Sequence, residues 1–182
     1  MSEPAAFRDD LVKTIPSLRA FAISLAQNSD RADDLVQETL VKAWDKQASF
    51  QLGTNLKAWL FTILRNEFYS QMRKRGREVQ DSDGLLTAGV AVHPGQQGSL
   101  DLKDFRKALE TLPEDQREAI ILIGASGFSY EEAAEICGCA VGTIKSRVSR
   151  ARTRLQDILG IDGDGDFGPD AISAQVLGST AA

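Results

Sequence analysis

Apolar residues recur at three- and four-residue steps through most of the chain, and this spacing predicts α-helices. In the first half the pattern predicts a helix over Phe7 to Ala26 and a second helix from about Asp30 to Trp44. A third helix is predicted from Leu56 to about Arg75. Pro16 interrupts the first apolar stripe, so we expect it to kink that helix or to delay its start.

Helical periodicity is lost after residue 76, where Gly, Ser, Asp and Gln dominate, and this composition is typical of a linker. The pattern resumes near Ser99, a plausible N-cap, and Pro113 is expected at the first position of a further helix. The last residues are rich in Gly, Asp, Ala and Ser and are expected to be disordered. The chain is therefore predicted to be all-α, with two small helical domains joined by a flexible linker. The predicted boundaries are residues 1–76 and 101–160 for the domains, 77–100 for the linker and 161–182 for the tail.

The stretch from Tyr130 to Leu155 predicts two helices joined by a tight turn. Ser129 and Glu132 have the spacing of a capping box, in which each side chain accepts a hydrogen bond from the other residue's backbone N–H. The short helix is expected to end at Cys137-Gly138, because glycine adopts the left-handed conformation at little cost. The next helix is predicted over 141–159. Together these features predict a helix-turn-helix.

The second helix of this motif carries an apolar stripe on one side and cations on the other. Five cations and no acid lie between Lys145 and Arg154. A charge run alone is often only a solvated surface. On a helix-turn-helix, however, Arg and Lys match guanine O6 and N7 in the major groove. The motif therefore predicts DNA binding.

Two further helices carry patterns that suit binding. The outer face of the second helix is acidic and polar, which either solubilises the helix or forms a docking face for a basic partner. Aromatic and cationic residues interleave along the third helix, as single-stranded nucleic acid requires. Trp59 and Phe61 are nevertheless expected to belong mainly to the core, because aromatic residues are usually buried.

Composition excludes several function classes. The net charge of −5 argues against a generally basic nucleic-acid coat, so DNA affinity must come from local patches. No apolar run is long enough to span a bilayer and no signal peptide is apparent, so we expect a cytoplasmic protein. The sequence contains no catalytic constellation, and neither an enzyme nor a cofactor nor a small-molecule substrate is expected.

Metal binding is also not expected. Cys137 and Cys139 share the chain with a single distant histidine, His93, so small buried thiols are favoured over metal ligands. The aspartates at 162, 164 and 166 resemble a calcium loop, but Phe167 and Ser173 replace its required Gly and Glu.

Five motifs along the chain carry a family resemblance. They are DRADDLVQETLVKAW at 30–44, NLKAWLFTILRN at 55–66, LPEDQREA at 112–119, GFSYEEAAEI at 127–136 and VGTIKSR at 141–147. In this order they resemble the extracytoplasmic-function (ECF) sigma factors, which are specificity subunits of bacterial RNA polymerase with regions 2 and 4 only. The resemblance covers about residues 7–160, and 50–70 and 104–143 are most similar to the alphaproteobacterial general-stress-response subgroup.

The resemblance implies roles for three groups of residues. Docking on the β′ coiled coil of core polymerase is implied for Asp34, Leu35, Gln37, Glu38 and Val41. Contact with the −10 element, including capture of a flipped base by the 50–55 loop, is implied for Phe50, Asn55, Lys57, Arg65, Asn66, Tyr69, Arg73 and Lys74. Contact with the −35 element is implied for Thr143, Lys145, Ser146, Arg147, Ser149 and Arg150, with Arg147 expected to meet phosphate.

The resemblance also implies partners: core RNA polymerase, through its β′ coiled coil and β flap, promoter DNA, and a small helical anti-sigma protein. Two other interpretations are open. A sigma mimic that sequesters an anti-sigma factor could lose the cations of its recognition helix, whereas this chain keeps five. An autonomous helix-turn-helix repressor would need a dimerisation element, and none is apparent in the sequence.

Overall fold

The computed structural model describes residues 3–51, 53–81 and 100–160. Within these ranges the chain forms seven α-helices and one short 3₁₀-helix and no β-strand, which confirms the predicted all-α fold. The helices are α1 (Glu3–Ala26), α2 (Ser29–Asp45), α3 (Leu56–Asp81), α4 (Leu100–Thr111), α5 (Glu114–Gly124), α6 (Tyr130–Cys137) and α7 (Val141–Leu159), with the 3₁₀-helix at Gln47–Ser49.

The chain divides into two compact units, which we describe separately. Helices α1, α2 and α3 form the first unit, and each of them packs against the other two. Its core contains the fully buried side chains of Leu18, Leu60 and Leu64. Phe21 of α1 stacks on Phe61 of α3 with their ring centroids 4.8 Å apart, so Phe61 belongs to the core as predicted.

Helix α1 runs through Pro16 without interruption from Glu3, so the prediction that this proline delays the start of the helix is wrong. Proline lacks the N–H that would bond to the carbonyl of Val12. The Val12 side chain is 57% exposed, so water can reach this turn of the helix. Pro16 itself is exposed, so its ring lies on the solvent side of the helix.

Helix α2 begins one residue before the predicted position. Asn28 is its N-cap, and its side-chain oxygen accepts a hydrogen bond from the N–H of Arg31 at 2.9 Å. Gln27 adopts a φ of +52°, which reverses the chain between α1 and α2. A side-chain cap of this kind satisfies one of the N–H groups that every helix start leaves unpaired.

Helix α3 continues to Asp81, so the prediction that it ends at about Arg75 is wrong. Gly76 costs a helix about 1 kcal/mol relative to alanine, but Arg77, Glu78 and Gln80 are good helix formers. The predicted N-cap Ser99, the remainder of the linker and the predicted disordered tail lie outside the described residues.

The second unit has its own core, formed where α4 and α5 pack against α7. Pro113 is the N-cap of α5, which begins at Glu114, one residue later than predicted. The buried side chain of Arg117 donates hydrogen bonds to the carbonyls of Glu110 and Leu112, at 3.3 and 3.1 Å, and so joins α5 to the end of α4. One cluster of this core consists of Ala108, Leu112, Ala151 and Leu155, with Leu109, Ile120 and Leu159 packed against it.

Candidate functional site

The capping box predicted at the start of α6 is confirmed. The Ser129 N–H donates to the Glu132 carboxylate at 2.9 Å, and the Glu132 N–H donates to the Ser129 hydroxyl at 3.1 Å. At the other end, Gly138 adopts a φ of +63°. The N–H groups of Gly138 and Cys139 bond back to the carbonyls of Glu135 and Ala134 and close the turn.

Helix α7 spans the predicted residues. It buries Ile144, Val148, Ala151 and Leu155 of the predicted apolar stripe, whereas Val141, the fifth member, is half-buried. The opposite face carries polar side chains. Of the six residues predicted to contact the −35 element, Lys145, Ser149 and Arg150 are exposed, and Thr143 and Ser146 are half-buried. The Ser146 hydroxyl donates to the Thr143 carbonyl at 2.9 Å. The Lys145 ammonium lies 5.7 Å from the centre of the Tyr130 ring.

Arg147, for which a phosphate contact is predicted, pairs with an acid of α5. Its Nε lies 3.2 Å from Oδ2 of Asp115 in α5, and 23% of its side-chain surface is exposed. Arg147 follows Ile144 by three residues and precedes Ala151 by four, so it lies beside the buried stripe. Its guanidinium therefore joins α7 to α5 in this structure. The phosphate contact implied for Arg147 stays a prediction.

The outer face of α2 presents four of the five residues predicted to dock on polymerase. Asp34, Gln37, Glu38 and Val41 are exposed, and Val41 exposes 61% of its surface. Leu35 is only 1% exposed, so its prediction as a direct contact is wrong. It points into the core of the first unit because it lies on the α2 stripe that also buries Val36 and Thr39.

Asp33, which the sequence places beside Asp34, faces α1 instead. The Arg19 guanidinium donates to both of its carboxylate oxygens, at 2.6 and 3.1 Å. These hydrogen bonds lower the pKa of the Asp33 carboxyl below its usual value. The exposed acids of the docking face are therefore Asp34 and Glu38.

A polar network connects this face to α3. The Lys42 ammonium contacts the Glu67 carboxylate, and the Gln71 amide donates to Glu38 at 2.8 Å and to Glu67 at 3.3 Å. The pKa of the Glu67 carboxyl is lowered, mainly by the hydrogen bond from Lys42 and against the opposing effect of burial. Glu67 and Gln71 were not predicted as site residues, because nothing in the helical periodicity shows that α3 approaches α2 here.

A polar groove of about 450 Å³ opens beside this network. Burial of Arg31 and the nearby charge of Arg75 lower the pKa of the Arg31 guanidinium. Lys74, predicted as a −10 contact, lines this groove beside the acids of α2. The groove is lined by Arg31, Asp34, Glu38, Glu67, Ser70, Gln71, Lys74 and Arg75.

The loop between α2 and α3 is held at both ends. Phe50 packs against Trp59 and Phe7, with ring centroids 5.2 and 6.0 Å apart. The side-chain oxygen of Asn55 accepts the Ala58 N–H at 3.1 Å and so caps α3. Phe50 and Asn55, both predicted as −10 contacts, thus also fix the loop on which they lie.

The remaining predicted −10 residues follow along α3. The Arg65 guanidinium lies 4.6 Å from the centre of the Tyr69 ring, and both side chains are half-buried. Asn66 and Arg73 are exposed. The Lys57 ammonium lies 5.8 Å from the Phe61 ring. Cations next to ring faces are the combination that favours stacking with unpaired bases.

Comparison with known proteins identifies the family. Residues 11–78 match the family model described as Sigma-70 region 2, and residues 102–155 match Sigma-70, region 4. The chain is 61% identical over 173 residues to the ECF RNA polymerase sigma factor EcfG of Rhodopseudomonas palustris, covering 95% of this chain and 96% of that protein. The chain belongs to the ECF sigma factors. It is an RNA polymerase sigma factor that directs core enzyme to promoters and initiates transcription.

Solved structures agree with this family membership. The sigma factor RpoE of Bartonella quintana, in complex with the anti-sigma factor NepR, is 72% identical with a TM-score of 0.79, covering 87% of this chain and 99% of that one. CnrH, in complex with the cytosolic domain of CnrY, is 27% identical with a TM-score of 0.64, covering 89% and 92%. The predicted resemblance to ECF sigma factors, and to their general-stress-response subgroup, is confirmed. Sigma factors are not a family of catalytic enzymes.

Other predictions for this sigma factor concern metals and membranes. Cys137 is buried as predicted, whereas Cys139 is only half-buried, and neither forms a disulfide. In the described part of the chain, His, Cys, Asp and Glu side chains form no group able to hold a metal ion. His93 and the aspartates at 162–166 lie outside that part. None of the described helices is long and apolar enough to cross a membrane.

Proposed function

We propose that this sigma factor docks on the β′ coiled coil of core RNA polymerase through the outer face of α2, formed by Asp34, Gln37, Glu38 and Val41. An exposed valine among acidic and polar side chains provides an apolar contact surrounded by charges, as protein interfaces commonly do. The two carboxylates supply electrostatic complementarity to a basic partner, which raises the association rate and fixes the orientation.

The −10 element is read by the first unit. The loop at 50–55 receives an unpaired base, and the cations and rings of α3 hold the melted strand through phosphate contacts and stacking. Arg65, Asn66, Tyr69 and Arg73 are the α3 residues in this role, and Lys57 supports them near the loop.

The −35 element is read by α7 from the second unit. Lys145, Ser149 and Arg150 lie on the exposed face, where they can reach base edges in a major groove, with Thr143 and Ser146 beside them. Arg147 supports this helix through Asp115. The β flap of polymerase is the further partner that would hold this unit at the −35 element.

The observation that carries this proposal is that acidic and cationic side chains are concentrated on different helices. An acidic and polar face lies on α2, and a cationic face lies on α7, although the chain as a whole has a net charge of −5. Each DNA-reading unit is small, so each alone binds weakly. Polymerase would hold both units at a fixed separation. Once one unit has bound its promoter element, the other is then at a high effective concentration near its own element, and the total affinity for the promoter rises.

The regulatory context of the proposal is the general stress response, as the 61% identity to EcfG supports. The 72% identical RpoE forms a complex with the anti-sigma factor NepR, which supports a small helical anti-sigma protein as a partner here. Both partners and the promoter operate in the cytoplasm, where we place this sigma factor.

Replacing Asp34 and Glu38 by Asn and Gln tests the docking face. We expect the affinity for core polymerase, measured by fluorescence anisotropy without DNA, to fall about tenfold, or about 1.4 kcal/mol, because the variant loses the charge complementarity around the apolar contact. The helical content of the variant should not change, since both side chains are exposed.

Asp9→Asn with Asp10→Asn provides the matched control. These acids lie on α1 of the same unit and form surface ion pairs with their chain neighbours Arg8 and Lys13. The control removes the same charge and should bind polymerase like the wild type. Equal affinity of the α2 variant and this control would show that the docking face is assigned to the wrong helix.

A further inference from the structure

Phe50, the first residue of the loop at 50–55, lies between two aromatic rings. Trp59 of α3 contacts it with ring centroids 5.2 Å apart and planes tilted by 45°. Phe7, near the start of α1, contacts it at 6.0 Å with a tilt of 47°. Both distances fall in the favourable range for tilted aromatic pairs. The loop joins α2 to α3 along the chain, and through Phe7 it is also in contact with α1.

The backbone hydrogen bonds of Phe50 and Thr54, two of the described residues of this loop, are local. The Phe50 N–H bonds to the Gln47 carbonyl at 3.1 Å, and the Thr54 N–H bonds to the Gln51 carbonyl at 3.2 Å. The side chains of Gln51 and Thr54 are exposed. Bonds between close neighbours shape a turn, but they do not fix its position relative to the rest of the unit. The aromatic contacts of Phe50 provide that fixed position.

We infer that Phe7 is a positioning residue for −10 recognition. Together with Trp59 it holds Phe50, and so the loop, in the conformation that receives an unpaired −10 base. This inference rests on the proposed role of the loop. A loop that is already ordered loses less entropy on binding, and the apparent affinity scales with the fraction of molecules in the competent conformation.

The exposure of Phe7 indicates that it positions the loop and does not belong to the core. Phe7 is half-buried, whereas Leu11, one turn later, is buried and belongs to the core. Removing the Phe7 ring therefore loosens the loop without opening the core of α1, α2 and α3. Loss of one aromatic pair corresponds to roughly a two- to tenfold change in an equilibrium.

The test uses holoenzyme assembled from the full chain and core RNA polymerase. A promoter selected by transcription of genomic fragments carries 2-aminopurine at the flipped −10 position, and its fluorescence reports base capture. Phe7→Ala should weaken capture roughly two- to tenfold, whereas Phe7→Tyr, which keeps a ring, should restore it. Val12→Ala, an exposed position on the same helix, is the matched control and should behave like the wild type.

A double variant identifies the route of the effect. If Phe7 acts through Phe50, Phe7→Ala should have little further effect in a Phe50→Leu background, because coupled residues are not additive. Core polymerase affinity should be the same for all variants. If Phe7→Ala captures the base as well as the wild type does and only its melting temperature is lower, the inference is overturned, but the role of the loop is not. Absence of a fluorescence change in the wild-type holoenzyme would instead overturn the role of the loop itself.

Discussion

Glu67→Gln removes the charge that organises the contact between α2 and α3. The Glu67 side chain is only 13% exposed, and it accepts hydrogen bonds from Lys42 and Gln71. Gln71 donates at the same time to Glu38 on the docking face. The substitution keeps the shape of the side chain but weakens both contacts. It should therefore destabilise the first unit and release Glu38.

The expected magnitude follows from the exposure of the two charges. A hydrogen bond to a charged group contributes about 1.5–3 kcal/mol when it is well shielded. Because the Lys42 side chain is 46% exposed, solvent screens the pair and the lower part of this range applies. We therefore expect Glu67→Gln to lower the free energy of unfolding of the first unit by about 1–2 kcal/mol at pH 7.

Urea unfolding followed by tryptophan fluorescence measures this change selectively. The chain contains two tryptophans, Trp44 and Trp59, and both lie in the first unit. Lys42→Met should cost about as much as Glu67→Gln, and the double variant should cost little more than either. A change below about 0.3 kcal/mol, or fully additive costs, would refute the assignment of Glu67 as the organising charge.

The pH dependence gives a second test of the same contact. The pKa of Glu67 is lower in the folded protein than its ordinary value of 4.5. The carboxylate therefore contributes its full stability above pH 4.5 and loses it as the pH falls through the lower folded value. The stability difference between wild type and Glu67→Gln should shrink in this acidic range. A difference that is constant from pH 7 to acidic pH would contradict the role of the Glu67 charge.

Three further substitutions address the second unit. Ser129→Ala removes the hydroxyl that caps Glu132, and thermal unfolding should show a loss of about 1 kcal/mol; an unchanged melting temperature would contradict the capping role. Asp115→Asn releases Arg147 from α5, and because Asp115 is about half exposed the cost in urea unfolding should stay below about 1 kcal/mol; a larger loss would show that the pair is more strongly coupled than its exposure allows. Arg150→Ala should weaken −35 recognition by about 1–3 kcal/mol in transcription assays, and unchanged promoter selectivity would reject a base-reading role.

Features that depend on neighbouring residues could be predicted from the sequence. The capping box of Ser129 and Glu132, the left-handed Gly138 and the bounds of α7 all follow from spacing within one or two helical turns. The family resemblance could be predicted for the same reason, because several short motifs carry it.

Features that depend on distant residues could not be predicted. Arg147 meets Asp115 and Phe50 meets Phe7 only after the helices have packed. The family resemblance implies a surface contact for Leu35, although the periodicity of α2 places this residue on the buried stripe. Helical periodicity identifies which residues share a face, but it does not identify the helix that this face contacts.

Footprinting on one promoter tests most directly whether the two DNA-reading surfaces act only when polymerase holds both. The free chain, core polymerase and the reconstituted holoenzyme are compared at the same concentration and salt, because phosphate contacts depend steeply on salt. The holoenzyme should protect the −10 and −35 elements together, while the free chain protects neither. Protection of the −35 element by the free chain, or of only one element by the holoenzyme, would contradict the account.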